Sequence, residues 1–129
     1  MALTRVVLDA SAALALLKAE TGGEVVSRLG EDALISSVNL AEVVAKLIDH
    51  GQPPEAAEAV ASVLPFDVVI FDGPMALRAG KLRAAARSRG LSLGDRACLA
   101  LAQREGLPAL TADRAWAGLD IGVEVRLIR

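Results

Sequence analysis

The sequence predicts a three-layer α/β/α fold around a central, mainly parallel sheet of four to five strands. Three observations predict it. Short β-branched runs alternate with longer, alanine- and leucine-rich helical runs. Glycine and proline marks separate them, at Gly22-Gly23, Gly51 to Pro54, Gly73-Pro74, Gly90 to Gly94, Gly106 to Pro108 and Gly118 to Gly122. The length, 129 residues, suits one domain spanning residues 1–129. A chain of this size buries about two thirds of its surface, enough for a core without disulfide or metal staples.

The elements read in order as follows. Leu3 to Leu8 is a strand, with valines at 6 and 7, and Ala10 to Lys18 is a helix of nearly unbroken alanine and leucine. Leu8-Asp9-Ala10-Ser11 thus reads as a strand end turning into a helix, and Asp9 breaks what would otherwise imitate a signal peptide. Glu24 to Leu29 is a short helix and Ala33 to Ser36 a brief strand. Leu40 to Asp49 is a helix, and Pro54 to Leu64 another, with proline at its start where a missing N–H costs nothing. Asp67 to Phe71 is a strand or an extended connection. Met75 to Arg89 and Gly94 to Glu105 are helices, Ala109 to Thr111 a strand, Arg114 to Ala117 a helical turn, and Val123 to Ile128 the last strand. Crossovers in such sheets are right-handed, and the ligand crevice lies beyond the carboxyl ends of the strands.

Composition narrows function. An apolar fraction of 53% excludes disorder. Fourteen basic against 16 acidic residues, net −2, exclude nucleic-acid binding by bulk charge, so any such contact needs a local patch or a bound cation. One Trp and two Phe cannot build a base-stacking platform. A single cysteine, Cys98, permits no internal disulfide and fits a reducing, cytoplasmic setting. No apolar run reaches the ~18–20 residues of a membrane span.

Four acids fall at the carboxyl rim. Asp9 follows the first strand and Asp113 the strand ending at Thr111. Glu42 and Asp95 lie in the first turns of helices. Each has a capping explanation: Asp9 and Asp113 as N-caps, Asn39-Leu40-Ala41-Glu42 and Ser92-Leu93-Gly94-Asp95 as capping boxes. Four at one rim argue for a shared site. Two unit charges about 4 Å apart repel by roughly 4 kcal/mol at an effective dielectric near 20. Helix dipoles offset about 0.3–1 kcal/mol each. The remainder asks for a bound cation or for protonation. Oxygen ligands without neighbouring histidine or cysteine favour Mg²⁺ or Mn²⁺ over zinc.

These stretches resemble the PIN domain, a metal-dependent ribonuclease fold, and within it the VapC-type toxins of toxin–antitoxin pairs. The matching runs are Val7-Leu8-Asp9-Ala10-Ser11-Ala12, Ile35-Ser36-Ser37-Val38-Asn39-Leu40-Ala41-Glu42-Val43, Leu91-Ser92-Leu93-Gly94-Asp95-Arg96-Ala97-Cys98-Leu99-Ala100 and Leu110-Thr111-Ala112-Asp113-Arg114-Ala115-Trp116. They occur in the family's order over essentially the whole chain. The resemblance implies that Asp9, Glu42, Asp95 and Asp113 are the catalytic, metal-binding quartet, with Asp9 and Asp95 as direct ligands. Thr111 then supports the last acid, and Ser11 and Asn39 are supporting or capping positions. The implied reaction is Mg²⁺- or Mn²⁺-assisted hydrolysis of RNA by activated water.

Other residues carry weaker signals. Arg78, Lys81, Arg83, Arg87 and Arg89 occur between Asp72 and Asp95 without an acid among them. They are a solvated helix face or a phosphate track towards the acidic rim. Arg96 and Arg114 pair with neighbouring acids or touch the scissile region. His50 fits a helix C-terminus, Cys98 a buried apolar position, and Trp116 the core. The apolar character of Ala10 to Leu17 and Leu40 to Ile48 predicts a homodimer and a groove for a second protein, which the resemblance identifies as a cognate antitoxin. Two other classes fit the residues less well. A receiver-like phospho-acceptor module needs an acidic neighbour for Asp9 and a late lysine, and no lysine follows Lys81. A non-catalytic interaction module on the same fold has no use for an intact quartet. A haloacid-dehalogenase-like phosphatase needs an aspartate where Ser11 stands.

Overall fold

The computed structural model of the chain describes residues 5–129. β1 (Val6–Leu8) leads to α1 (Ala10–Leu17), α2 (Gly23–Ser27), a 3-10 turn (Gly30–Asp32) and β2 (Ala33–Ser36). Then come α3 (Ser37–Asp49), α4 (Pro54–Ser62), β3 (Asp67–Val69), α5 (Gly73–Ala86) and a second 3-10 turn (Arg87–Arg89). The chain ends with α6 (Leu93–Glu105), β4 (Ala109–Thr111), a third 3-10 turn (Arg114–Trp116) and β5 (Val125–Leu127). The five strands form one sheet in the order β3-β2-β1-β4-β5, with every neighbouring pair parallel.

Side-chain alternation along the strands separates two cores. Val6 and Leu8 of β1, Ala33 and Ile35 of β2 and Leu110 of β4 pack with Ala12, Val26, Val43 and Ala57 of α1 to α4. Val7, Leu34 and Ala109 point the other way, into a core with Met75, Ala79 and Leu82 of α5 and Cys98 to Ala102 of α6. Trp116 is fully buried in that second core. The three-layer expectation therefore holds, with five strands.

The strand order follows from crossover handedness. From β1 the chain steps outward through β2 to β3 with α1 to α4 on one face. It returns to the other side of β1 by way of α5 and α6, so right-handed crossovers put these two on the opposite face. The direction reverses between β1 and β4, and the crevice of such a sheet opens at that point, beyond the carboxyl ends.

Several boundaries differ from expectation. α3 begins at Ser37, and its cap is Ser36, whose Oγ accepts from Val38 N at 3.2 Å. Asn39 is inside the helix and is not a cap. Asp72 caps α5 by accepting from Met75 N at 3.0 Å, so that helix starts at Gly73 and gives way to a 3-10 turn at Arg87. β5 is limited to Val125–Leu127, the three residues that find partners on β4. Of the strand expected from Leu3, Leu3 and Thr4 lie outside the described residues. α1 is enclosed by its own chain: Ala12, Ala13, Leu14 and Ala15 are buried, and the helix packs on α2, α3 and β4. Ile48 of α3 is exposed, and the most exposed large apolar side chains are Val63 after α4, Ile70 after β3 and Leu77 on α5, with Val68 on β3 also exposed.

Candidate active site

Asp9 leaves the end of β1 and is 4% exposed. Its Oδ1 accepts from Ala12 N at 2.8 Å, capping α1. Ser11 Oγ stands 2.7 and 2.9 Å from its two oxygens, and Thr111 Oγ1 donates to Oδ2 at 2.5 Å. Each hydroxyl also accepts a backbone amide, Ser11 from Ala112 N at 2.9 Å and Thr111 from Asp113 N at 3.0 Å. The two hydroxyls thus lock the strand end of β1 to the loop after β4. Burial pushes the Asp9 carboxyl up to about 6, with the nearby Asp95 charge acting the same way, against the downward pull of the Thr111, Ala12 and Ser11 hydrogen bonds.

Asp95 comes from the first turn of α6 as expected, whereas Glu42 comes from the second turn of α3, because that helix starts at Ser37, three residues before the expected Leu40. Asn39 Nδ2 donates to Glu42 Oε1 at 2.8 Å and to the Gly94 carbonyl at 2.9 Å. A Cβ at Gly94 would collide with the Glu42 carboxylate, so glycine there lets the acid lie on the α6 backbone, against the positive end of the helix. Asp95 closes the expected capping box: its Oδ2 accepts from Ser92 N at 2.9 Å and its amide donates to Ser92 Oγ at 3.1 Å. One turn further, the Cys98 thiol is fully buried. Burial pushes its pKa up, and the charges of Asp9, Asp95 and Glu42 push it further. The charges of three of the four acids therefore act on the same sulfur atom. Asp113 is exposed, caps the third 3-10 turn by accepting from Ala115 N at 2.9 Å, and is joined to Asp9 through Thr111.

The capping and shared-site readings are compatible. Asp9, Asp95 and Asp113 each cap a helical turn and still lie along the rim, while Glu42 caps nothing. The donors are carboxylate and hydroxyl oxygens. Among the described residues no three His, Cys, Asp or Glu side chains close into a ready-made metal cage. Oxygen donors of this kind suit a hard cation that keeps several waters.

The basic residues divide. Arg78, Lys81, Arg83 and Arg87 are exposed, and Arg83 and Arg87 line a pocket of about 220 Å³ with Gly90 and Leu91, next to the α6 cap. Arg89 is occupied: its Nη1 donates to the carbonyls of Ala115 at 3.0 Å and Ala117 at 2.7 Å. It clamps the loop that carries Asp113. Arg96 is half-buried and donates to the Ala79 carbonyl at 3.1 Å, tying α6 to α5. Among the described residues neither Arg96 nor Arg114 forms an ion pair. His50 is the exposed C-cap of α3. Gly94 is the site residue that sequence reasoning passes over. Its signal is a glycine in a helical first turn, where helix propensity disfavours it.

These features define a class, a small parallel α/β/α domain with carboxylates gathered at its topological switch point. The strand order differs from the 2-1-3-4-5 order of receiver-type sheets. The chain belongs to the PIN domain family, whose model matches residues 6–121. Its fold is similar to a chain of DNA-bound VapBC from Salmonella typhimurium, at TM-score 0.76 and 19% identity, covering 98% of this chain and 100% of that one. It is also similar to a toxin–antitoxin complex from Klebsiella pneumoniae, at TM-score 0.72 and 21% identity, covering 96% and 98%. A third similar structure is Mycobacterium tuberculosis VapC20, a sarcin–ricin loop cleaving toxin, at TM-score 0.71 and 20% identity, covering 92% and 98%. No curated protein matches the chain significantly.

Proposed function

We propose that residues 1–129 form a single PIN-like domain that acts as a metal-dependent endoribonuclease, the toxin of a toxin–antitoxin pair. The observation that carries this reading is the placement of four acids at the strand ends and helix starts of a PIN fold: Asp9 after β1, Asp113 after β4 and joined to Asp9 through Thr111, and Glu42 lying against Gly94 next to Asp95 at the start of α6. The oxygen donor set supports Mg²⁺ or Mn²⁺, since the raised pKa of the Cys98 thiol denies a softer metal a thiolate and His50 stands at the far end of α3. When bound, the ion would neutralise phosphodiester charge and activate water. Asp9, Asp95, Glu42 and Asp113 would hold it. Ser11 and Thr111 keep Asp9 oriented by directing both hydroxyl protons at its carboxylate. Arg78, Lys81, Arg83 and Arg87 offer phosphate contacts beside the rim, while Arg89 acts through the loop it clamps.

The toxin–antitoxin complexes among the similar structures support an antitoxin partner. The exposed apolar side chains flanking edge strand β3 support a homodimer. The proposed work is on RNA in the cytoplasm; no helix among the described residues is long and apolar enough to cross a membrane. The test is to incubate purified chain with total RNA in Mg²⁺, in Mn²⁺ and in EDTA. Discrete cleavage with either ion and none in EDTA is expected. Equal outcomes in all three would refute metal-dependent cleavage.

A further inference from the structure

One buried amide joins two of the acid-bearing helices. Asn39 is 1% exposed, and its Nδ2 donates both to Glu42 Oε1 and, 55 residues away, to the Gly94 carbonyl. Its Oδ1 is buried and has no partner. The amide cannot be turned over, because Oδ1 would then face a carboxylate and a carbonyl, both acceptors. The fold thus keeps a buried acceptor without a donor, a desolvation cost that an apolar side chain would not incur. The other side of the contact carries its own concession, since glycine in a helix is worse than alanine and Gly94 leaves no room for a Cβ. Two independent departures from helix stability seat the same carboxylate.

We propose that Asn39 is a positioning residue that seats the Glu42 carboxylate on the first turn of α6, beside Asp95, so that the two acids meet a divalent cation as a preset pair. The proposal rests on the metal-dependent reading above. Glu42 is a long side chain whose rotamer freedom must be given up on coordination. Fixing it beforehand lowers that cost.

The test is Mn²⁺ binding to the purified full chain, followed by electron paramagnetic resonance, for wild type, Asn39→Ala, Gly94→Ala, Glu42→Gln and the double variant Asn39→Ala/Glu42→Gln. Loss of such a supporting hydrogen bond weakens metal affinity by about tenfold, and this is expected for Asn39→Ala. In the Glu42→Gln background the same change should matter by less than about twofold, because the carboxylate that Asn39 positions is gone. The three atoms nearest a Cβ at position 94 all belong to the end of the flexible Glu42 side chain, which can shift. Gly94→Ala should weaken Mn²⁺ binding with thermal stability preserved, and this holds the test together if Asn39→Ala folds poorly. Equal losses for Asn39→Ala in both backgrounds, or wild-type Mn²⁺ affinity in Gly94→Ala, would overturn the positioning role while leaving the metal reading intact. A wild type that binds no Mn²⁺ would remove both.

Discussion

Thr111 Oγ1 donates to Asp9 Oδ2 at 2.5 Å, linking the ends of β4 and β1 across 102 residues of chain. The same hydroxyl oxygen accepts from Asp113 N, so one side chain sets the position of two acids. Valine fills the same space and does neither. Thr111→Val should cost about 1–3 kcal/mol in urea unfolding, because a buried carboxyl and a backbone N–H each lose a partner. Thr111→Ser keeps both bonds and should stay close to wild type. Losing a bond that pulls the Asp9 carboxyl down should also move its titration above about 6.

Asp9 should make the metal-free protein less stable at neutral pH than below pH 4. Its carboxyl titrates near 6 in the fold against 3.8 when unfolded, so the folded chain binds the proton more tightly. The resulting stabilisation is complete below 3.8 and is lost as pH rises through about 6. At about 1.4 kcal/mol for each pH unit separating the two values, roughly 3 kcal/mol disappears by pH 8. Asn at position 9 can still cap α1 and carries no charge. In EDTA, Asp9→Asn should be the more stable protein at pH 8, and the two curves should meet near pH 4. Urea midpoints across that range check this.

The same titration should appear in metal binding. A cation requires the ionised carboxylate, so Mn²⁺ affinity should fall about tenfold per pH unit below about 6. Isothermal titration at pH 5, 6 and 7 measures the slope.

Arg89 and the Arg83/Arg87 pair should separate in their effects. Arg89→Ala removes the clamp on Ala115 and Ala117 and should cost about 1 kcal/mol, with faster amide exchange in the loop after Asp113. Arg83→Ala/Arg87→Ala leaves that clamp alone and should change stability by less than about 0.5 kcal/mol. It should also lower the salt slope of RNA binding by about 1.4, at about 0.7 for each single-strand phosphate that no longer meets a cation.

Local signals reach most of the fold. β2 is legible at its observed bounds because Ala33 to Ser36 is a short apolar run between a glycine-acidic turn and a helix start. Asp9, Asp95 and Asp113 are legible because strand ends and helix starts have local signatures. Asn39 misleads for the same reason. Its spacing to Glu42 imitates a capping box, while its real partner, Gly94, lies on another helix and leaves no trace in the neighbouring sequence. Arg89 looks like its basic neighbours, since carbonyls 26 and 28 residues away decide its role. The end of β5 depends on how many residues β4 offers it, which is a property of the pair.

The central claim is that Asp9 and Asp95 hold the ion on which RNA cleavage depends. Asp9→Asn and Asp95→Asn both leave the hydrogen-bonding caps able to form, so each should fold. Cleavage of RNA by wild type and by these two variants, in Mg²⁺ or Mn²⁺ and free of antitoxin, tests it most directly. Wild type should cut, and neither folded variant should. Cutting at the wild-type rate by both variants would contradict the claim.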